Sequence, residues 1–217
     1  VVSLPEGLSL KESMMYGTAG LTAGLSIHRL MELGVTPEKG DVLVTGVTGG
    51  VGSLAAAILA RTGYRVCGVS GKADAGQYLK NFGVDRVISR EEATRWADRP
   101  LLKAQWAAVV DTVGGTILAA AIKSTRPYGV VVSCGNAASS ELPLNVYPFI
   151  LRGVTLTGID SQNCPMALRE TVWRNLAKEW RPPALEEMIH EIPLEELDAM
   201  IGKILSGSLS GRCLVRL

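Results

Sequence analysis

The sequence predicts an α/β protein built on a doubly wound parallel sheet of six strands. Two observations carry this prediction. From Asp41 onward six short apolar runs alternate with helical patterns, and a glycine turn stands directly between the first run and the first helix. Alternation of this kind implies a parallel sheet covered on both faces, and right-handed crossovers then wind it in two directions.

Taken in order, residues 10–33 read as a helical stretch interrupted by glycines. The strands are expected at 41–45, 64–70, 86–89, 106–111, 128–134 and 154–160. Helices are expected at 51–62, 73–82, 91–97 and 116–124, with a short turn near 146–151. The tail from Pro165 falls outside the alternation: a helix to about residue 180, a run at 191–193, a helix at 195–205 and a last strand at 212–217. Its mixed polarity suits a second, less buried sheet. The division is therefore 1–36 as hinge and linker, 37–161 as the parallel-sheet domain, and 162–217 as a return to a neighbouring lobe. No internal repeat is evident.

The 217 residues are 47% hydrophobic and carry a net charge of +1, enough for one large or two small cores. No run approaches the roughly 18 apolar residues of a membrane span, and the near-neutral charge gives no reason to expect nucleic acid. A small-molecule partner is the better expectation. Cys67, Cys134, Cys164 and Cys213 are scattered without a metal-gripping or redox spacing, which fits reduced cysteines in the cytoplasm. The chain opens on Val-Val-Ser-Leu-Pro without an initiator Met or a leader pattern, and reads as a piece that begins within a longer protein.

The turn Val47-Thr48-Gly49-Gly50-Val51-Gly52 follows a strand and opens a helix, within one βαβ length. Gly49 allows the backbone close to a pyrophosphate, Gly52 allows helix and strand to pack closely, and the amides of Gly50 and Val51 donate to phosphate oxygens. Val47 occupies the place of the fingerprint's first glycine. The second strand ends in Ser70-Gly71-Lys72, where an NAD enzyme has an acid roughly 20 residues after the glycines. A carboxylate repels a 2′-phosphate, whereas a hydroxyl, an amide and an ammonium bind it, so the expected cofactor is NADPH. The bland alternative is a solvated lysine at a loop tip. Arg90, after the third strand, flanks the same end or stands as a surface arginine.

None of the five tyrosines is followed by Lys four residues on, which excludes the short-chain dehydrogenase signature. Ser-Gly-Lys likewise argues against a methyltransferase. The segments GTAGLTAG (17–24), the glycine turn, AVVDTVGG (108–115), SCG (133–135) and PFILRGVTLTGIDS (148–161) together resemble a medium-chain dehydrogenase/reductase, in the acryloyl-CoA reductase branch long labelled quinone oxidoreductases. The resemblance covers nearly the whole chain.

It implies a Rossmann sheet with a hinge helix and the C-terminal part of a GroES-like catalytic lobe, the first part of that lobe preceding this chain. It also implies a zinc-free enzyme, since Thr18 stands where zinc-dependent relatives place a cysteine ligand. The implied reaction is hydride transfer from NADPH to the β-carbon of an enoyl thioester such as acryloyl-CoA, then protonation at the α-carbon. A quinone or enone reductase is the alternative within enzymes, and an NADPH-binding module without turnover is the alternative outside them. A fragment without the first lobe is expected to be inactive by itself. By resemblance, Thr48, Gly49, Gly50 and Val51 form the pyrophosphate loop and Ser70, Gly71, Lys72 and Arg90 the 2′-phosphate end. Asn136, Ala137, Ile150 and Ser161 line the nicotinamide side. The sixth-strand edge is implied as the seam of a homodimer.

The remaining polar and aromatic residues read more plainly. Thr22 either approaches the nicotinamide or is an ordinary helix-interior threonine. His28 and His190 read as structural, Tyr16 as a packing residue, and Trp173, Leu176 and Trp180 as core. Asp111 and Asp160 close strands at the ligand-binding edge, in capping or contact roles.

Overall fold

A computed structural model describes residues 2–217. Helix α1 (Leu10–Glu32) opens with a capping box: Ser9 Oγ accepts from Glu12 N at 3.1 Å and the Glu12 carboxylate accepts from Ser9 N at 2.8 Å. Gly17 kinks it, with φ 50° and ψ −152°, so the glycine-interrupted stretch is two helical pieces joined at a kink. Tyr16 sits edge-on to Trp173 at 6.2 Å between ring centroids and its hydroxyl donates to the Leu176 carbonyl at 3.1 Å. Burial raises its pKa, and its role is to pack α1 on a later helix.

The sheet follows as β1 (Val42–Thr45), α2 (Gly50–Arg61), β2 (Val66–Val69), α3 (Ala75–Lys80), β3 (Arg86–Ile88), α4 (Arg90–Thr94), β4 (Trp106–Asp111), α5 (Gly115–Lys123), β5 (Thr125–Ser133), α6 (Tyr147–Arg152) and β6 (Thr155–Gly158). All neighbours pair in parallel, in the order β3-β2-β1-β4-β5-β6. The order reverses between β1 and β4, and crevices for ligands form at such reversals, outside the carboxyl ends of the strands. Side chains alternate between two apolar layers. Val42, Val44, Ala108, Val110, Val130 and Val132 join the core shared with α1 and α2, while Leu43, Val109 and Val131 join the one shared with Leu118 and Ile122 of α5.

The tail forms α7 (Met166–Ala177), β7 (Ile189–Pro193), α8 (Leu197–Leu205) and β8 (Arg212–Arg216), with β7 and β8 paired in parallel as a small separate sheet. Leu176 and Trp180 are buried as expected of core residues, and Trp173 packs against that core.

Most boundaries fall within two residues of the expectation; three are off by three, each for a local reason. Helix α4 stops at Thr94, because Arg95 turns extended and Trp96 takes φ 69°. Strand β5 starts at Thr125 and carries a register shift next to Tyr128, which adopts φ 59°. Helix α7 ends before Trp180 because Lys178 leaves helical geometry. No helix of the described residues is long and apolar enough to cross a membrane.

The tightest backbone approach joins β1 to α2. A Cβ on Gly52 would stand 2.2 Å from the Gly46 carbonyl oxygen and 3.0 Å from Val47 Cα. Backbone atoms cannot swing aside, so Gly52→Ala is expected to cost at least about 1–3 kcal/mol, read as a lower urea midpoint. Gly202 in α8 has nothing within 4 Å of its added Cβ. Gly202→Ala is the control, expected to stabilise by about 0.5–1 kcal/mol.

Candidate functional site

The glycine turn is assembled by three exchanges of space. Gly46 takes the positive φ of 60° that ends β1, one residue before the position the fingerprint assigns to its first glycine. Val47 can then be fully buried, because Gly68 in β2 leaves room: a Cβ there would stand 2.6 Å from Val47 Cγ1. Gly49 donates its N–H to the Gly46 carbonyl at 2.9 Å and caps α2 without a side chain. The next amides, of Gly50, Val51 and Gly52, have no acceptor within the helix by their position, and the helix dipole adds positive potential there.

Ser70, Gly71, Lys72 and Arg90 come together at the end of β2. Ser70 is buried and accepts from Lys72 N at 3.1 Å, with Thr48 Oγ1 at 3.4 Å from its hydroxyl. A Cβ on Gly71 would stand 2.8 Å from Arg90 Nε, so the Arg90 side chain lies directly over the Gly71 backbone. Burial lowers the Lys72 pKa, Asp74 opposes that and the Arg90 charge reinforces it. Two cations thus face one small space, which favours an anion between them.

A third cation was not among the residues picked out in the sequence. Arg212, at the start of β8, lies across the glycine turn: its Nη1 is 3.1 Å from where a Cβ of Gly50 would be, and its Nη2 is 2.9 Å from the same point on Gly17. Its Nε donates to the Met15 carbonyl at 2.7 Å, and burial lowers its pKa. Among the described residues no carboxylate pairs with it. A partly buried guanidinium normally has an anionic partner. No local pattern marks it in the sequence, because the turn it covers lies far from it along the chain.

The other residues divide. Asn136 and Ala137 follow β5 along the carboxyl end of β4, where Ala137 N donates to the Thr112 carbonyl at 3.4 Å. Both are exposed on the strand edge that carries the turn. Ser161 lies beyond β6, its carbonyl accepting from Arg169 at 2.9 Å. Ile150 is not brought there. It is 68% exposed on α6, which runs back along the amino half of β5: Val154 N bonds the Pro148 carbonyl, and Arg152 donates to the carbonyls of Lys123 and Thr125. Thr22 uses its hydroxyl on the Thr18 carbonyl at 2.8 Å and is an interior helix residue.

Asp111 caps. Its carboxylate accepts from Thr45 Oγ1 at 2.7 Å, Gly114 N at 3.0 Å and Ser133 Oγ at 3.4 Å, tying β1, β4 and β5 together; burial raises its pKa and these bonds oppose the rise. Asp160 staples its own loop by accepting from Gln162 N and Asn163 N, both at 3.0 Å. His28 pairs with Glu32 at 3.3 Å, and His190 Nε2–H donates to the Ser210 carbonyl at 2.9 Å. Among the described residues no group of three or more His, Cys, Asp or Glu side chains gathers to hold a metal.

A nicotinamide dinucleotide fits this donor set. The uncapped amides and Arg212 match a pyrophosphate, and Ser70, Lys72 and Arg90 match a phosphomonoester.

Comparison with known proteins agrees with the fold. The zinc-binding dehydrogenase family model matches residues 50–178. Bacillus subtilis YhfP, which carries a quinone oxidoreductase name, is 46% identical over 218 residues, covering all of this chain and 66% of its own length. Its solved structure with NAD bound superposes with a TM-score of 0.95. Acrylyl-CoA reductase AcuI of Ruegeria pomeroyi is 42% identical over 99% of this chain and 65% of its own. The YhdH oxidoreductase of Salmonella enterica, solved in complex with NADP, is 41% identical with a TM-score of 0.96, over all of this chain and 66% of that one. The chain thus spans just under two thirds of the length of these relatives. With the family model matched across more than half the chain, it belongs to the zinc-binding dehydrogenase family of medium-chain dehydrogenase/reductases, in the branch of quinone oxidoreductases and acryloyl-CoA reductases.

Proposed function

We propose that this chain is the NADPH-binding part of an oxidoreductase that reduces an activated carbon–carbon double bond, with an enoyl thioester such as acryloyl-CoA as substrate. The observation that carries the reading is the set of three cations, Arg212 over the glycine turn and Lys72 with Arg90 at the end of β2, with Ser70-Gly71-Lys72 rather than an acid directly at that strand end. NADP in the Salmonella YhdH structure supports the cofactor, and the name of the Ruegeria relative supports the substrate class. The quinone oxidoreductase name of YhfP, and NAD in its structure, favour a second reading as a quinone reductase.

In this reading residues 37–161 form the nucleotide unit, while 1–36 and 162–217 belong to the second lobe. The first amides of α2 and the Arg212 guanidinium hold the pyrophosphate. Ser70, the Gly71 amide, Lys72 and Arg90 hold the 2′-phosphate. Thr48 shapes the turn, and Asn136, Ala137 and Ser161 border the nicotinamide end. When bound, the reduced nicotinamide supplies the hydride for the β-carbon. The network around Asp111 keeps the strand ends rigid, so the cleft is preorganised rather than formed on binding.

The protein also forms a homodimer through β6. That strand pairs only with β5 among the described residues, leaving one edge open. Beside it lie exposed Val146, Tyr147, Ile150 and Leu151, an apolar patch of the kind that marks interfaces.

Three outcomes are expected. On the whole protein, steady-state reduction of acryloyl-CoA with NADPH is faster than that of a simple quinone; equal and poor rates with both would defeat the thioester assignment. Because a hydrogen bond to a charged group contributes about 1.5–3 kcal/mol, Lys72→Ala should lower kcat/KM for NADPH by about ten- to a hundredfold and leave that for NADH within about twofold. Light scattering should give twice the 23.0 kDa chain mass for this chain, and Leu151→Asp should return the monomer.

A further inference from the structure

Lys72 does not stand free at its loop tip. Its ammonium donates to the Leu209 carbonyl and, at 2.9 Å, to Ser210 Oγ, residues nearly 140 positions away on the tail loop before β8. That loop is itself held by two hydrogen bonds and a closely packed glycine. The Ser210 carbonyl accepts from His190 Nε2–H in β7, Gly211 N donates to the Thr48 carbonyl at 2.8 Å, and Gly211 has φ 75°. A Cβ on Gly211 would stand 2.3 Å from the Met188 carbonyl and 2.7 Å from the Tyr78 hydroxyl, so the loop packs closely against both.

We propose that Ser210 is a positioning residue for nucleotide selectivity: through Lys72, the tail loop presents the ammonium to the 2′-phosphate. The inference rests on the NADPH reading above. A lysine ammonium has three N–H donors on a flexible four-carbon stem. Two are taken by the tail, leaving one for a ligand. Without the tail the stem would lose its rotamer freedom only on binding, and affinity would fall accordingly. The discrimination between NADPH and NADH is therefore set jointly by the end of β2 and by a loop from the other end of the chain.

The test titrates the 217-residue chain, Ser210→Ala, Ser210→Thr, Lys72→Ala and the Ser210→Ala/Lys72→Ala double variant with NADPH and with NADH, followed by nucleotide fluorescence. Thermal melts by circular dichroism check that each variant is folded. Ser210→Ala is expected to weaken NADPH by about three- to tenfold and NADH by less than about twofold, Ser210→Thr to keep the wild-type ratio, and Ser210→Ala to have no further effect once Lys72 is Ala. Equal weakening of both nucleotides, or an unchanged ratio in a chain that still prefers NADPH, would overturn the role of Ser210 alone. A wild-type chain that binds neither nucleotide would overturn the NADPH reading and this inference with it.

Discussion

The close approach of Gly52 to the Gly46 carbonyl is the constraint on which the rest of the site depends. It seats the first turn of α2 directly above the end of β1, so the free amides of that turn face the cleft where the strand order reverses. Val47 and Gly68 complete the arrangement by exchanging bulk between β1 and β2, which brings the end of β2 beside the same turn. The first amides of α2 and the end of β2, the groups proposed to bind the two phosphates, are in this way fixed by two packing contacts. No flexible loop has to find them.

The tail converts this local site into one shared by distant parts of the chain. Arg212 closes over the glycine turn from β8 while its Nε is held by the Met15 carbonyl in α1, and the preceding loop engages Lys72 and the Thr48 carbonyl. Lys72 and Arg90 repel one another, and Asp74 offsets only part of that. The fold tolerates this because Lys72 donates to the Leu209 carbonyl and the Ser210 hydroxyl, and Arg212 donates to the Met15 carbonyl. A dianionic ligand would relieve the repulsion, which is why the electrostatics and the packing point to the same occupant.

Much of this was legible in the sequence, and the parts that were not share a cause. Parallel strands covered on both faces are apolar throughout, so their alternation with helices showed the sheet, and the glycine turn and Ser70 to Lys72 act over short stretches of chain. Arg212 and Ser210 act across long sequence separations, and no local pattern marks them. Ile150 looked placed by its nearness to β6, yet α6 runs back along the amino half of β5 and carries it off the ligand edge. Thr22 was open to either role, and the carbonyl one helical turn before it claims its hydroxyl. The early end of α4 at Thr94 turns on Trp96 adopting a backbone angle that its residue type does not announce.

The central claim is that these cations hold the 2′-phosphate of NADPH. It is tested most directly by phosphorus NMR of the nucleotide bound to this chain across a pH series. A free phosphomonoester dianion takes up a proton at about pH 6. Held by Lys72 and Arg90, the 2′-phosphate should remain a dianion well below that pH, with its resonance no longer moving through the free titration. A bound nucleotide whose 2′-phosphate titrates as it does in free solution would contradict the account.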